Sequence, residues 1–437
     1  MCGIAGFCNF KEDFEENTDY WNFRLEKMRA VLAHRGNDAR GRYLKKHIGL
    51  SHSRLAIRDI LCGDQPMTRT HNGCDYTICY NGEIYNTDEL IPELSENGFV
   101  CSTTSDTEVI LYAYIHWGAD FVNRLNGIFA FAIWDAAENR LLLYRDRVGV
   151  KPLFYAIRGD SLVFGSEPKA CFAHPAVKPE LDKQGLQELL AIGPAHTSGL
   201  SLFKDLFEVL PGHFMIYSRD GLHDETYWEL TSREHTESYR DTVAHTRFLV
   251  EDAIKRQMVS DVPVCTFLSG GIDSSIVTAI AANYMNTRGK TLNTFSFDFK
   301  DNDKYFKANA FQPERDLPYV NRMLEEYETA HSYLECDENS LFKALFAAVD
   351  AKDMPGMTDV DSSLLYFCSL VSRKNKVALT GECADEIFGG YPWFYRKELL
   401  ERYGFPWSSD VAPRLALLRD DVGFELDLSG YQAFRYE

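Results

Sequence analysis

The sequence predicts two regions of different fold class: a layered α+β region built mainly from antiparallel strands, followed by an α/β region with a doubly wound parallel sheet. Two observations support this prediction. The first half of the chain alternates short β-like runs with turns and has few long helices, which is typical of layered antiparallel sheets. From about Thr242 onward, strand-like and helix-like segments alternate four times, as in a parallel sheet covered by helices on both faces.

In the first region, short apolar runs bounded by turn residues predict the strands, and helical spacing of apolar residues is clearest at Trp21–Ala33 and Thr107–Trp117. A polar stretch follows Tyr227 and Trp228. We therefore expect a first domain at residues 2–228, a linker at 229–241 and a second domain at 242–437. The predicted strands are Gly49–Ile57, Tyr76–Tyr80, Gly127–Trp134, Arg140–Tyr144, Leu153–Ala156 and Ser161–Phe164.

The second region begins with a helix predicted over Thr242–Met258. The apolar run Val262–Leu268 then indicates a buried strand that ends at a glycine-rich loop. An open α/β sheet binds its ligand at the carboxyl ends of its strands, so functional residues are expected there. The remaining predictions are helices at Ser274–Tyr284, Asp316–Tyr327, Ser340–Asp350 and Ser362–Lys374, and strands at Thr291–Phe299, His331–Glu335 and Lys376–Thr380.

Composition excludes several classes of function. The formal net charge is −19, which disfavours binding to nucleic acid or to an anionic membrane surface, because both require a basic face. No apolar run approaches the roughly 20 residues of a membrane span, and the first residues lack the pattern of a signal peptide. The 11 cysteines include no C-x-x-C pair, so neither a disulfide framework nor a structural zinc site is expected. We therefore expect a cytoplasmic enzyme that acts on small molecules.

Cys2 directly follows the initiator methionine. Removal of Met1 would leave Cys2 with both a thiol and a free α-amino group. An α-amino group titrates near neutral pH and can take the proton of the thiol, which is the logic of the N-terminal-nucleophile hydrolases. A buried structural cysteine is the alternative reading of this position.

The glycine-rich loop Ser269–Ser275 follows a predicted strand and opens a predicted helix, so its backbone N–H groups and the helix dipole favour an anion. The G-x-x-x-x-G-K-[ST] spacing and its lysine are absent, so cleavage of ATP to ADP is not implied. The hydroxyls of Ser269, Ser274 and Ser275 suit pyrophosphate oxygens, and Asp273 could hold a magnesium ion on them. Such a site would release pyrophosphate and leave AMP on an acceptor. Plain helix capping is the alternative.

A second polar loop follows the predicted strand Lys376–Thr380. It places three carboxylates, those of Glu382, Asp385 and Glu386, within five residues. Such a group is costly unless a cation or a reacting nitrogen uses it. We expect Asp385 to be the second magnesium ligand and Glu382 to act as a base or to orient an incoming amine. A solvated acidic turn is the alternative.

Taken together, these motifs resemble those of the glutamine-hydrolysing asparagine synthetases over essentially the whole chain. The N-terminal half resembles their class II glutamine amidotransferase domain, which has an N-terminal-nucleophile hydrolase fold, and the C-terminal half resembles their ATP-pyrophosphatase domain. The motifs that carry the resemblance are Cys2-Gly3-Ile4-Ala5-Gly6, His34-Arg35-Gly36, Leu50 to Leu55, Asn81 to Asn86, Ser105 to Glu108, the Ser269 loop and Thr380 to Tyr391.

For the N-terminal half, the resemblance implies that Cys2 attacks the side-chain amide of glutamine. The side-chain amide of Asn81 and the backbone N–H of Gly82 would form the oxyanion hole that any acyl transfer needs. An arginine fork would grip the α-carboxylate of glutamine and two carboxylates would take its ammonium. The arginine is Arg54, and the two carboxylates are those of Glu83 and Asp106.

For the C-terminal half, the resemblance implies an ATP site with magnesium on Asp273 and Asp385, and Glu382 facing the reacting ammonia. The implied reaction converts glutamine, aspartate and ATP to asparagine, glutamate, AMP and pyrophosphate through β-aspartyl-AMP. Glutamine, aspartate and ATP are then the small-molecule partners, and a homodimer is a possible assembly. The implied ATP-binding residues are Phe267, Ser269, Gly270, Gly271, Asp273, Ser274, Ser275, Phe297, Thr380 and Gly381.

The sequence departs from the family pattern at three points. Asn37 stands where the family usually has proline, and Cys383 replaces a frequent glycine, but neither change removes a charged participant. The sequence also stops at Glu437, whereas the family continues with a basic segment whose lysine acts on the intermediate. If this is the whole polypeptide, synthesis could be impaired although glutamine hydrolysis need not be.

Three alternatives remain on sequence grounds. A related ATP-dependent amidotransferase could modify another acceptor, since the aspartate pocket leaves no motif of its own. A non-catalytic regulatory protein would be expected to lose Cys2, Arg54, Asp106 or Asp273, and all four are present. An ATP-independent glutaminase would leave the intact Ser269 loop without a role.

Overall fold

The computed structural model describes residues 1–308, 314–408 and 410–437. The chain forms two compact units. The first contains Met1–Ser232 together with Asp410–Arg435, and the second contains the described residues between positions 233 and 408.

The first unit contains two six-stranded sheets in which every neighbouring pair is antiparallel. Its strands are β1 (Gly3–Asn9), β2 (Ala39–Lys45), β3 (Ile48–Arg54), β4 (Met67–His71), β5 (Cys74–Ile84), β6 (Gly127–Asp135), β7 (Arg140–Arg145), β8 (Phe154–Arg158), β9 (Ser161–Gly165), β10 (Phe207–Glu208), β11 (His213–Ser218) and β12 (Gly221–Thr226). The spatial orders are β10-β8-β9-β1-β3-β2 and β12-β11-β7-β6-β5-β4.

The described residues of the two units contain α-helices between and after the strands. They are α1 (Thr18–Ala30), α2 (Thr87–Glu96), α3 (Asp106–Trp117), α4 (Pro168–Phe172), α5 (Lys183–Gln187), α6 (Tyr239–Arg256), α7 (Ile272–Asn286), α8 (Asn302–Tyr305), α9 (Leu317–Glu326), α10 (Glu338–Lys352), α11 (Thr358–Val371), α12 (Ala384–Phe388), α13 (Lys397–Leu400), α14 (Ala412–Leu415), α15 (Asp420–Leu426) and α16 (Leu428–Tyr436). Short 3-10 turns at Phe14–Asn17, Ala33–Arg35, Ala119–Arg124 and Pro392–Phe394 and a π-helical turn at Glu188–Ile192 complete the set. Among the described residues, no helix has both the length and the apolar character that a membrane crossing demands.

The two sheets of the first unit face each other, and helices cover their outer faces. In β1, which is buried along its whole length, Ile4 and Cys8 pack between the sheets, whereas Ala5 and Phe7 pack on the helix side. The outer face of the other sheet packs against α3. Strands buried on both faces are apolar without alternation, which explains the continuous runs in the sequence. The predicted layered antiparallel α+β fold is therefore confirmed.

Several predicted elements end at other residues in the structure. The strand predicted to reach Ile57 ends at Arg54, because its partner β1 begins at Gly3, which pairs with Ser53. The helix predicted from Thr242 begins at Tyr239 instead, because the Ser238 hydroxyl caps it by accepting from the Asp241 N–H. The prediction omitted the strands β1, β2, β4, β10, β11 and β12 and the helices α2, α4, α5, α8 and α12 to α16.

The second unit contains a parallel sheet with strands β13 (Val264–Phe267), β14 (Leu292–Phe299), β15 (Thr329–Cys336) and β16 (Val377–Leu379). Their spatial order is β15-β14-β13-β16. The chain builds outward from β13 through β14 to β15 and then returns to add β16 on the other side of β13. This reversal is a topological switch point, where open α/β sheets bind ligands. The predicted doubly wound parallel sheet is confirmed.

The segment Asp410–Arg435 packs with the first unit through buried polar contacts. The carboxylate of Glu188 is fully buried and accepts a hydrogen bond from the Tyr431 hydroxyl. The guanidinium of Arg414 donates to the carbonyl of Gly193 at 2.8 Å. These contacts join the segment Asp410–Arg435 to the first unit. The sequence prediction places these residues in the second domain, at 242–437.

The core of the first unit supplies a stability test. Phe131 is fully buried and stacks on Tyr144 with ring centroids 4.7 Å apart. We expect Phe131→Ala to lower the free energy of unfolding by about 3–5 kcal/mol, because it removes buried surface and leaves a cavity. Urea denaturation measures this change. The matched control is Phe23→Ala, since that ring is 52% exposed, and an equal loss in both variants would contradict this account of the core.

Candidate active sites

Cys2 directly precedes β1, and its thiol meets the turn that follows β3. The Sγ atom accepts from the backbone N–H of Leu55 at 3.4 Å and lies 3.6 Å from the Leu55 carbonyl. Burial raises the pKa of the Cys2 thiol, against the smaller opposing effect of the Leu55 backbone. Burial also lowers the pKa of the adjoining α-amino group, which here belongs to Met1, to about 5. After removal of Met1, buried surroundings of this kind would also disfavour the charged form of the Cys2 α-amino group and so favour the neutral form, which is the form of the amine that can act as a base.

The backbone of Cys2 is held by a buried arginine. Arg35 Nε donates to the Cys2 carbonyl at 2.9 Å, and Arg35 Nη1 donates to the Glu167 carboxylate at 2.6 Å. His34 Nε2 lies 3.0 Å from the same Glu167 oxygen. Burial alone would raise the pKa of Glu167, but the bonds from His34 and Arg35 lower it to about 2. The His34-Arg35 motif therefore holds the backbone of Cys2 in place through Arg35 and Glu167.

A cavity of about 30 Å³ opens beside Cys2. That volume holds only a few water molecules, so an amino acid is fully enclosed there only if part of the wall moves. The cavity brings together predicted site residues from four separate segments. Its lining consists of Cys2, Arg54, Leu55, Ile57, Arg58, Gly63, Gln65, Tyr80, Gly82, Glu83, Ser105, Asp106 and Thr107.

Asn81 and Gly82 lie next to each other on β5. A Cβ at Gly82 would come within 2.3 Å of the Ile128 carbonyl on β6, so only glycine fits there. Asn81 is 1% exposed, and its Nδ2 donor has no hydrogen-bond partner among the described residues. An unsatisfied buried donor costs free energy unless a ligand uses it. Asn81 does not line the cavity itself, but it shares the inter-sheet face of β5 with Cys79, whose thiol is near enough to Cys2 to feel its charge.

Two carboxyl groups meet on the opposite side of the cavity. Asp106 is buried at the start of α3 and accepts from the Tyr80 hydroxyl at 2.8 Å and from the Ile84 N–H at 3.1 Å. Burial and the nearby Asp106 raise the pKa of Glu83 to about 8, and burial raises the pKa of Asp106 as well. A buried acidic pair of this kind gains from a cationic ligand, such as the ammonium group of an amino acid.

Arg54 is turned toward its own loop in this structure. Its Nη1 donates to the Ile60 carbonyl at 3.1 Å and to Asp64 at 2.9 Å. Its Nη2 donates to the carbonyls of Arg58 and Asp59. A bidentate grip on a carboxylate therefore requires this loop to release Arg54, which agrees with the need for the cavity wall to move.

Two further basic residues at the site were not predicted. Arg58 lines the cavity and donates to the Ile84 carbonyl at 2.9 Å and to the Thr87 hydroxyl at 3.2 Å. Its positive charge acts to lower the pKa of Asp106 and of Glu83, against the effect of burial. Lys151 is 7% exposed and lies beside the N-terminus. No motif or spacing marks either residue, because loops from distant parts of the chain bring them to the site.

The second candidate site lies at the switch point of the parallel sheet. The Ser269 loop follows β13, and the segment from Thr380 follows β16, the strand next to β13. A Cβ at Gly381 would lie 2.7 Å from the Ser274 nitrogen, so the two loops are in direct contact. The sequence motifs therefore meet where this sheet topology places a ligand.

The Ser269 loop is shaped by its own hydroxyls. Ser274 Oγ lies 2.9 Å from Ser269 Oγ and donates to the Gly271 carbonyl at 3.2 Å. Gly270 has φ of +82°, a conformation that favours glycine. Gly271 is the N-cap of α7, so the first N–H groups of a 15-residue helix open at the loop. These groups and the helix dipole form a site for an anion such as pyrophosphate. Ser275 lies in the first turn of α7.

Two aspartates come together at this loop, Asp273 from the first turn of α7 and Asp385 from the segment that follows β16. Burial and the Asp385 carboxylate raise the pKa of Asp273, which shows that the two aspartates are neighbours. Glu382 is exposed, and its N–H donates to the Thr380 hydroxyl at 3.4 Å. Among the described residues, no group of three or more His, Cys, Asp or Glu side chains is arranged to hold a metal ion. Magnesium would therefore have to share the two aspartates with ligand oxygens and water.

Phe267 and Phe297 are partly buried at neighbouring positions of the sheet. Both rings pack against Phe367 of α11, with centroid distances of 4.6 and 5.0 Å. Their part in an adenosine pocket remains a prediction.

Comparison with known proteins identifies the family. Residues 1–228 match the glutamine amidotransferase domain family, and residues 245–437 match the asparagine synthase family. The chain is 47% identical over its whole length to the glutamine-hydrolysing asparagine synthetase 3 of Bacillus subtilis (strain 168), of which it covers 70%. This chain belongs to the glutamine-hydrolysing asparagine synthetase family.

Other relatives share less sequence with this chain. The glutamine-hydrolysing asparagine synthetase 1 of Bacillus subtilis (strain 168) is 32% identical over 91% of this chain and 60% of its own length. Amidase chyE of Penicillium rubens is 32% identical over 94% of this chain and 62% of its own length. The chain thus spans less than two thirds of the length of these two relatives.

The unpaired amide of Asn81 gives a direct test of the first site. We expect Asn81→Ala to lower kcat for glutamine hydrolysis about a hundred- to thousandfold with little change in KM, because an oxyanion donor acts mainly in the transition state. Steady-state glutaminase assays measure both constants. The control is Asn123→Ala, because the side chain of Asn123 is exposed. An unchanged kcat in Asn81→Ala would remove Asn81 from the oxyanion hole.

Proposed function

We propose that the chain catalyses the ATP-dependent synthesis of asparagine from aspartate, with ammonia released from glutamine. The observation that carries this proposal is the presence of two chemically different candidate sites in one chain. One has Cys2, an α-amino group and a buried free amide donor. The other has an anion-binding loop without a Walker lysine at a sheet switch point. Membership of the family agrees with both.

In the first half-reaction, the Cys2 thiol attacks the side-chain amide carbon of glutamine while the α-amino group takes its proton. The oxyanion receives hydrogen bonds from Asn81 Nδ2 and the Gly82 N–H. The protonated amine then passes its proton to the departing nitrogen, so that ammonia leaves and a thioester remains. Water hydrolyses the thioester to glutamate and restores the thiol.

Substrate selection in this half-reaction uses the charged ends of glutamine. The ammonium group is placed against Glu83 and Asp106, where it relieves the cost of two buried carboxyl groups. The α-carboxylate is placed against Arg54 after the loop opens, with Arg58 as a further cation at the cavity wall.

In the second half-reaction, the β-carboxylate of aspartate attacks the α-phosphorus of ATP and pyrophosphate leaves. The loop from Ser269 to Ser275 and the start of α7 hold the pyrophosphate by backbone N–H groups and hydroxyls. Ammonia then attacks the β-aspartyl-AMP carbonyl and AMP leaves. Glu382, exposed at the same sheet edge, is the residue we propose to orient ammonia or take its proton.

Magnesium fits the residues at this site. Asp273 and Asp385 would hold it, because their mutual repulsion is what a divalent cation relieves. When bound, magnesium neutralises charge on the pyrophosphate leaving group. We further propose that the reaction takes place in the cytoplasm and that the protein is a homodimer, as the resemblance implies.

The main alternative function is the transfer of ammonia to an acceptor other than free aspartate. Relatives named amidases, such as Amidase chyE, match both halves of the chain. An acceptor acid other than free aspartate would use the same two sites. Mass spectrometry of the products formed from glutamine, ATP and a panel of carboxylic acids distinguishes the two functions.

Cys2→Ala is expected to abolish glutamine hydrolysis and to leave ammonia-dependent product formation unchanged, because the thiol serves only the first half-reaction. Parallel assays with glutamine and with ammonium chloride test this separation. Cys62→Ala is the matched control, since that cysteine is exposed and lies outside the site lining. Retained glutamine hydrolysis in Cys2→Ala would refute the assignment of the nucleophile.

Asp273→Asn is expected to remove magnesium-dependent formation of AMP and pyrophosphate while sparing glutamine hydrolysis. The physical reason is that the change removes one of the two carboxylates available to the metal. Chromatography of α-labelled ATP identifies the nucleotide product. ADP as the main product of the unmodified protein would contradict the synthetase function itself.

A further inference from the structure

Lys151 is a buried lysine that the proposed reaction does not use. It lies in the loop after β7, where its N–H donates to Asp146 Oδ2 at 2.9 Å and its carbonyl accepts from Arg145 Nε at 3.1 Å. The backbone is thus fixed, and the residue is 7% exposed. The side chain points to the N-terminus, where its Nζ lies 2.8 Å from Met1 Sδ.

The partner of this ammonium group is poorly suited to it. Met1 Sδ is the only hydrogen-bond partner of Lys151 Nζ among the described residues, and a thioether is a weak acceptor. A buried ammonium without a strong partner is costly. Removal of Met1, which the proposed use of Cys2 requires, also removes this one contact, and the charges of Lys151 and of the Cys2 thiol are close enough to act on each other.

We propose that Lys151 is a positioning residue whose ammonium group, placed against the processed N-terminus, holds the Cys2 α-amino group in its neutral, proton-accepting form. A nearby positive charge disfavours a second cation and favours an anion. Lys151 therefore opposes protonation of the Cys2 α-amino group and favours the thiolate form of the Cys2 side chain. The inference rests on the proposed hydrolysis of glutamine at Cys2.

The surrounding charges permit this role. Burial, followed by the charge of Arg35, lowers the pKa of Lys151 to about 8, so the side chain still carries most of its charge at neutral pH. On the amine present in this structure, that of Met1, Arg35 and Lys151 both act to lower the pKa, whereas Glu83 acts to raise the pKa of this amine and of Lys151. The charged and titratable groups that act on the thiol or the amine are Arg35, Arg54, Cys79, Glu83 and Lys151, and Asp146 acts on Lys151.

The test compares Lys151→Met, which removes the charge at similar length, with Lys151→Arg, which keeps it. Lys178→Met, at an exposed position, is the control. Mass spectrometry first confirms that each N-terminus begins at Cys2. The pH dependence of kcat/KM for glutamine hydrolysis is then measured. The acidic limb should move to higher pH by roughly 0.5–1 unit in Lys151→Met, because the amine regains a higher pKa, and should stay near its original position in Lys151→Arg.

A second readout does not need catalysis. The rate at which iodoacetamide alkylates Cys2, followed by peptide mass spectrometry, should have its pH midpoint shifted upward in Lys151→Met only. If that variant fails to fold, Lys151→Gln replaces it. Unshifted midpoints in a folded variant, or equal losses of activity and melting temperature in the Met and Arg variants, would overturn the role of Lys151. Absence of glutaminase activity in the unmodified protein would instead refute the proposed function, while the alkylation profiles would still decide the role of Lys151.

Discussion

Burial of ionisable groups around the N-terminus is the constraint on which the first unit depends. The Cys2 thiol, the α-amino group, two carboxyl groups and a lysine lie within one poorly solvated region between the ends of the two sheets. Desolvation acts on each of them toward its neutral form. A site made this way holds a nucleophile and its base ready without a histidine, and it favours a ligand that brings its own opposite charges. The buried apolar side chains on both faces of the sheets offset the free-energy cost of burying these ionisable groups.

The second unit handles charge in a different manner. Its loop at the end of β13 has few charged side chains and relies on backbone N–H groups, hydroxyls and the start of α7. Asp273 lies in the first turn of α7, and the other acidic residues come from the segment after β16, which contact between Gly381 and the Ser269 loop brings close. An anion and a divalent cation can therefore share the site, each facing the groups of opposite sign.

Much of the fold could be predicted from sequence because its core strands are strongly apolar. The runs at Gly127–Asp135 and Leu292–Phe299 are recognisable from their residues alone. Strand β2, Ala-Arg-Gly-Arg-Tyr-Leu-Lys, was missed because it is a polar edge strand whose pairing with β3 supplies its stability. The exact helix starts depended on single capping serines, such as Ser238, which periodicity does not detect.

The sequence by itself determined the chemistry available to the protein: a cysteine behind the initiator methionine, a glycine-serine loop between strand and helix, and an acidic loop after a later strand. These are local patterns, and each is set by neighbouring residues. Only the tertiary structure decided that Arg54 is engaged by its own loop, that Asn81 carries a free buried donor, and that Arg58 and Lys151 belong to the first site. Burial and partner choice arise when distant segments pack together, so no spacing along the chain could reveal them.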